Sequence, residues 1–134
     1  MSGRQAEAPV LTTLVLGANA AARETAIAAL LEPGTRSCII LEGLPDGSAH
    51  LAAGALPAPA PAIHRIAPGC LCCAGNLVLR VTLNRILRHR PDRLFLGLAT
   101  AGHSAQLRQW LSQPPYASLL ALTPDLHAPE LRRS

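Results

Sequence analysis

The chain contains no lysine, and all twelve of its basic residues are arginine. That absence excludes Schiff-base catalysis and a phosphate loop with its usual lysine, because both need an ε-amine. Aromatic residues make up only 2% of the sequence, so a nucleic-acid site that stacks bases on rings is poorly supplied. We therefore expect no nucleic-acid partner despite the formal net charge of +4.

Acidic residues are also few, eight in all, and no GxSxG sequence occurs. Carboxylate-pair chemistry and serine-hydrolase chemistry therefore have no support in this sequence. No apolar run approaches the roughly 18 residues that a membrane helix needs, and the polar start MSGRQAEAPV does not have the pattern of a secretory signal. We expect a cytoplasmic protein without a membrane partner.

Short apolar runs alternate with helix-favouring segments along the chain. The patterns predict strands at 11–17, 37–41, 63–67, 94–98 and 118–122, and helices at 20–31, 76–90 and 104–111. This order predicts an α/β fold, a three-layer sandwich with a mostly parallel sheet covered by helices on both faces. Ligands of such sheets bind at the carboxyl ends of the strands, so functional residues are expected there.

The length of 134 residues fits one domain, which we place at 10–125. Within it, residues 43–61 are expected to form a long loop rich in alanine and proline, because prolines and the residues before them oppose helix and sheet. The segments 1–9 and 126–134 are expected to be flexible tails.

Three of the four cysteines, Cys70, Cys72 and Cys73, lie in the run GCLCC. In a reducing compartment such a cluster indicates metal binding or redox activity. Thiolates bind soft or borderline ions such as Zn²⁺, Co²⁺ and Cu(I), and the flanking glycines let the backbone turn so that the sulfurs converge. Three sulfurs leave a tetrahedral ion one ligand short, and Glu42, His64, a water molecule or a partner protein is expected to supply the fourth.

Two other interpretations of the cysteine run stay open. Cys70 and Cys73 also form a CxxC pair, which is the spacing of a redox dithiol, and the cysteines could also be inert. Cys38 lies in an apolar strand and is interpreted as a plain buried residue.

Other polar features receive ordinary interpretations. The exposed face of the helix predicted at 76–90 carries Arg80, Arg85 and Arg88, and such solvated arginine faces are common. A lone histidine such as His103, in a predicted turn, is usually structural or solvent-exposed.

The segment APGCLCCAGNLVLRVTLNRILRHRPDRLFL resembles the CobW-type GTPases, a family of cytoplasmic P-loop proteins that deliver or insert metals. The hallmark of that family is a GCxCC segment followed by a helix and then a strand that begins near RPD. The resemblance extends from Leu11 onward. It implies a P-loop GTPase-like fold, zinc or cobalt as the metal, and GTP with Mg²⁺ as the nucleotide cofactor. It also implies an acceptor metalloprotein or a full-length relative as partner. Separately, the long apolar strands lead us to expect a homodimer, in which a second chain would cover them.

The first strand and turn stand where that family has its phosphate loop, GxxxxGK[ST], but the match is incomplete. Gly17 matches the first glycine, whereas Ala22, Arg23 and Glu24 replace the second glycine, the lysine and the hydroxyl residue. Thr25 is a shifted substitute for that hydroxyl. A bound nucleotide is therefore expected to contact Gly17, Arg23 and Thr25.

Two further elements of a GTPase are altered or missing. Gly97 stands where the family carries an acidic residue that helps to hold magnesium, and no NKxD guanine-specificity motif occurs. The resemblance thus implies a truncated, nucleotide-degenerate relative with an intact metal-binding segment. The alternatives are a weak GTPase that uses Arg23 in place of lysine, an interaction module that modulates a full-length relative, and a fragment without function.

Overall fold

The computed structural model describes residues 9–17, 19–42, 59–66, 77–98 and 104–128. In this part of the chain the elements are β1 (Val10–Leu16), α1 (Ala20–Leu30), β2 (Ser37–Glu42), β3 (Ala62–Ile66), α2 (Leu77–Leu87), β4 (Arg93–Leu98), α3 (Ser104–Leu111), a 3₁₀ turn (Tyr116–Ser118), β5 (Leu120–Leu122) and β6 (Leu126–His127). None of the helices in these ranges is both long and apolar enough to cross a membrane.

The strands form one sheet in the order β3-β2-β4-β1-β5, and every neighbouring pair is parallel. A sixth strand, β6, pairs in parallel with the carboxyl end of β1, where Val15 is opposite Leu126. The prediction of an α/β fold with a mostly parallel sheet is confirmed. Because the strands run the same way, their carboxyl ends lie along one edge of the sheet, where residues that follow the strands meet.

Helices cover both faces of the sheet, which gives the three layers. On one face, Ile27 of α1 packs in a cluster with Ile39 and Phe95 of the strands. On the other face, Leu83 of α2 and Leu107 of α3 belong to a larger cluster built around the strands. Strands buried on both sides read as continuous apolar runs, which is why they were recognisable in the sequence.

The helices begin and end where local chemistry dictates. Asn19 caps α1, and its Oδ1 accepts a hydrogen bond of 2.8 Å from the Ala22 N–H. The next turn of chain contains Gly34 with φ of +83°, a conformation that favours glycine. The helix predicted at 76–90 ends at Leu87, and Arg90 has a φ of +38°, so the last residues of that prediction are not helical.

The carboxyl-terminal prediction needs correction. Leu126 and His127, which the sequence places in a flexible tail, pair with β1, and the Ala128 N–H donates to the Leu16 carbonyl at 2.6 Å. A strand of two residues is too short to show a period, so no pattern in the sequence signals it. The strand predicted at 118–122 begins at Leu120, because Tyr116–Ser118 forms a 3₁₀ turn.

Candidate functional site

The candidate site lies at the edge of the sheet where the strands end. Gly17 follows β1, Glu42 ends β2, and Arg65 is the penultimate residue of β3. Arg23 and Glu24 lie near the start of α1, which follows Gly17 closely in the chain. Cys70, Cys72, Cys73 and His103 fall outside the described residues, so their roles stay predictions.

The turn that aligns with a phosphate loop is here a capped helix start. Helix α1 begins at Ala20, so the positions up to Ala22 that would form the second half of such a loop are already helical. The N–H of Ala22 donates to the Asn19 side chain at 2.8 Å, and the N–H of Arg23 donates to the Asn19 carbonyl at 3.2 Å. A phosphate site at a helix start depends on N–H groups that face the anion, and here a side chain of the protein takes one of them.

Arg23 folds back onto the turn that precedes its helix. Its side chain is buried, and Nη1 donates to the Gly17 carbonyl oxygen at 2.9 Å. A Cβ atom on Gly17 would lie 3.0 Å from the Arg23 Cγ and 3.1 Å from the Ala128 Cβ. Residue 17 is therefore small because the arginine stem and the residue after β6 both approach it closely.

Glu24 forms an ion pair that the sequence did not reveal. Its Oε2 accepts from the Arg65 Nη1 at 3.1 Å, which ties α1 to β3, and the Glu24 side chain is only 4% exposed. The other carboxylate oxygen, Oε1, is buried without a hydrogen-bond partner among the described residues. The two residues are 41 positions apart, so no local spacing signals the pair.

The three nucleotide contacts expected from the resemblance do not share one environment. Gly17 and Arg23 are joined by a hydrogen bond at the end of β1. Thr25 is exposed, whereas Arg23 and Glu24 beside it are buried.

The position where the family carries its magnesium-binding acid is surrounded by apolar side chains. A Cβ atom on Gly97 would lie 2.9 Å from the Leu41 Cδ2 and 3.9 Å from the Ile27 Cδ1. Leu41 and Ile27 belong to the cluster between α1 and the sheet. A carboxylate at this position would have to displace the Leu41 side chain and enter an apolar layer.

Glu42 and His64, the two expected completing ligands, share one face of the sheet. In the parallel register Glu42 is opposite Ile66 and Ile40 is opposite His64. Because side chains alternate along a strand, Glu42 and His64 lie on the side of Ile40 and Ile66, the face covered by α2. Helix α2 is the element that follows the cysteine run in the sequence.

The electrostatics of His64 favour its neutral form. Burial, and then the positive charge of Arg85 on α2, lower the pKa of His64 below its ordinary value. A neutral imidazole is the form that binds a metal ion. Glu42, at the end of the neighbouring strand, is buried. Within the described ranges, no three or more acidic, histidine or cysteine side chains converge as a metal site would require.

A cavity of about 190 Å³ lies at the opposite edge of the sheet. Cys38, Arg36 and His89 line it, but Arg36 already donates to the carbonyl oxygens of His89 and Arg90. Burial raises the pKa of the Cys38 thiol, with a smaller opposing effect from Arg36. This cavity is separate from the candidate site, and Cys38 is partly buried within it.

The chain is similar to the zinc chaperone YeiR of Escherichia coli (strain K12), with 30% identity over 124 residues. The match covers 86% of this chain and 36% of that protein, so the chain spans little more than a third of the relative's length. No family model matches the chain. No solved structure matches it significantly. The similarity supports the resemblance to CobW-like proteins that the cysteine run indicated.

Proposed function

We propose that this chain is a CobW-like metal-handling protein that carries zinc on the thiolates of Cys70, Cys72 and Cys73. The similarity to a protein named as a zinc chaperone, which extends over 86% of this chain, carries the proposal. The donor set agrees with it, because clustered thiolates are the ligands that structural and transferable zinc prefers. Zinc is here the cargo, and an acceptor metalloprotein is the partner that the proposal requires.

The fourth ligand is proposed to be Glu42 or His64. Both lie on the face of the sheet that α2 covers, and α2 begins shortly after Cys73 in the chain. A carboxylate oxygen or a neutral imidazole nitrogen would complete a tetrahedral site with the three sulfurs.

We further propose that nucleotide hydrolysis has been lost. The GTP and Mg²⁺ implied by the resemblance fit poorly with the residues at the end of β1. Asn19 caps the helix start, Arg23 is directed to the Gly17 carbonyl, and Glu24 places a carboxylate where a hydroxyl would bind magnesium. The carboxylate would repel a triphosphate, and Gly97 supplies no acid on β4.

The metal proposal is tested by titrating the reduced protein with Co²⁺ and recording the thiolate-to-cobalt charge-transfer band. We expect a stoichiometric band that excess Zn²⁺ abolishes. It should be absent in the Cys70→Ser/Cys72→Ser/Cys73→Ser variant and unchanged in Cys38→Ser, the matched control. A wild-type protein without the band contradicts the metal function, and a Cys70–Cys73 disulfide that forms in its place favours the redox interpretation.

The nucleotide proposal needs a separate measurement. Phosphate release from Mg²⁺-GTP should not exceed the buffer background with the metal-free or the zinc-loaded protein. Turnover that disappears in Arg23→Ala would contradict the proposal and establish the weak GTPase instead.

A further inference from the structure

Exposed apolar side chains are concentrated on one helix. Five large apolar residues are exposed in the described part of the chain, and three of them are in the first two turns of α2: Leu77 (68% exposed), Val78 (48%) and Val81 (46%). The other two, Leu11 and Leu30, lie on different elements. Single exposed apolar residues are ordinary, but a contiguous group marks a surface that contacts another molecule.

Arginines continue the same face of the helix. Residues three and four apart lie above one another on a helix, so Leu77, Val81, Arg85 and Arg88 form one stripe along the outward side of α2 and the turn after it. Arg80 is exposed beside it. The sequence from 77 to 90 contains no acidic residue, and neither ion pair in the described part of the chain involves this helix.

We propose that this surface docks a segment of a partner protein that carries apolar side chains followed by acidic ones. The surface, which we term the α2 face, consists of Leu77, Val78, Val81, Arg85 and Arg88, and Arg80 lies on its flank. Its apolar half lies at the amino end of the helix and its basic half at the carboxyl end. A partner segment of matching order would bury the apolar side chains and pair its carboxylates with arginines, which bind carboxylates with defined geometry.

The distribution of side chains favours a protein partner over a membrane or a nucleic acid. A helix that lies on a membrane has an apolar side along its whole length, with large residues such as Trp and Phe. On the α2 face the apolar residues occupy the first two turns and the arginines follow them, and the apolar residues are leucine and valine. A nucleic acid would use the arginines but would leave three apolar side chains exposed.

The α2 face is close in sequence to the cysteines that are proposed to bind zinc. The helix starts shortly after Cys73, so a partner held on its first turns would be near the cysteine run in sequence. The inference does not depend on the metal proposal, because the exposed residues and their charges are present whether or not the cysteines carry zinc.

The test is to pan the immobilised full chain, with and without zinc, against a displayed library of random twelve-residue peptides. The enriched peptides are then measured by fluorescence anisotropy. We expect them to combine Leu, Ile or Phe with Asp or Glu. The affinity should fall at least tenfold in Leu77→Ser/Val81→Ser and in Arg85→Glu/Arg88→Glu. The control Leu11→Ser/Leu30→Ser, which removes apolar side chains of similar exposure elsewhere, should bind as the wild type does.

Reversing the charges of both the peptide and the α2 face tests whether ion pairs join them. A peptide with Lys in place of each acidic residue should fail to bind the wild type and should bind Arg85→Glu/Arg88→Glu. All substituted positions are exposed, so we expect the circular dichroism spectra and melting temperatures of the variants to match the wild type.

Four results would overturn the proposal. They are no enrichment, enriched peptides without acidic residues, equal affinity for the α2-face variants, or no rescue by charge exchange. Anionic vesicles, duplex DNA and sedimentation of the protein alone are run in parallel. Binding or dimerisation that depends on Leu77 and Val81 in one of these assays would assign the surface to that ligand instead.

Discussion

Replacing Arg65 by methionine removes the hydrogen-bond partner of the Glu24 carboxylate while keeping most of the volume of the aliphatic stem. The carboxylate would then be buried with both oxygens unpartnered, because Oε1 already lacks a partner among the described residues. A hydrogen bond to a charged group is worth about 1.5–3 kcal/mol, and stranding a buried charge costs more. The Arg65 side chain is 29% exposed, so solvent screens part of the interaction. We expect Arg65→Met to lower the free energy of unfolding by about 2 kcal/mol.

Urea unfolding followed by circular dichroism measures this loss. The free energy of unfolding should fall with urea concentration at the same slope in the variant and the wild type, which would show that both unfold by the same transition. The second ion pair of the described chain provides a control. Arg108 and Asp125 are 34% and 22% exposed, so Arg108→Met should cost about 0.5 kcal/mol or less. The double variant Glu24→Leu/Arg65→Met removes the buried charge together with its partner and should recover at least half of the loss. Equal losses in Arg65→Met and Arg108→Met, or no recovery in the double variant, would refute this account of the buried carboxylate.

Three further predictions follow from the same structure. The pKa of His64 is lowered on folding, so the unfolded chain binds a proton at this residue more readily and the free energy of unfolding falls as the pH decreases below 6.5. In urea titrations His64→Gln should therefore lose less stability between pH 7.5 and 5.5 than the wild type. Equal losses in the two proteins would contradict this. Asn19→Ala removes the cap of α1 and should cost about 1 kcal/mol, whereas Asn19→Asp should not; equal losses would mean that the cap is not the cause. Burial raises the pKa of Cys38, so its thiol should react with a disulfide reagent more slowly than free cysteine does. The rate is measured at pH 7.5 in the Cys70→Ser/Cys72→Ser/Cys73→Ser variant, in which Cys38 is the remaining cysteine. An equal rate would exclude a buried thiol.

The sequence was informative wherever a pattern was long enough to have a period. The strands β1, β2 and β4 are nearly continuous apolar runs because both of their sides are covered, and their alternation with helices led directly to the parallel sheet. Residues 126–127 were missed, since two residues cannot display alternation, and their pairing depends on the position of β1 far earlier in the chain.

The candidate site was predicted less completely than the fold. Glu24 was recognised as a departure from a phosphate loop, but its partner Arg65 is distant in the sequence and only the fold brings the two together. Asn19 did carry a local signal, because asparagine before an alanine-rich segment is a preferred helix cap. The phosphate-loop pattern concerns the glycine, lysine and hydroxyl positions and does not include the cap position.

The sheet order has a consequence for how this chain folds as it is synthesised. Among the described strands β1 comes first in the chain, yet its partners β4, β5 and β6 all lie beyond residue 92. Its apolar side chains and its backbone hydrogen-bonding groups therefore remain uncovered until most of the described chain has left the ribosome. Sheets closed by such distant pairings fold slowly and expose strand edges on the way. We infer that β1 is among the last of the described strands to be enclosed, and that during this interval the nascent chain is most susceptible to aggregation.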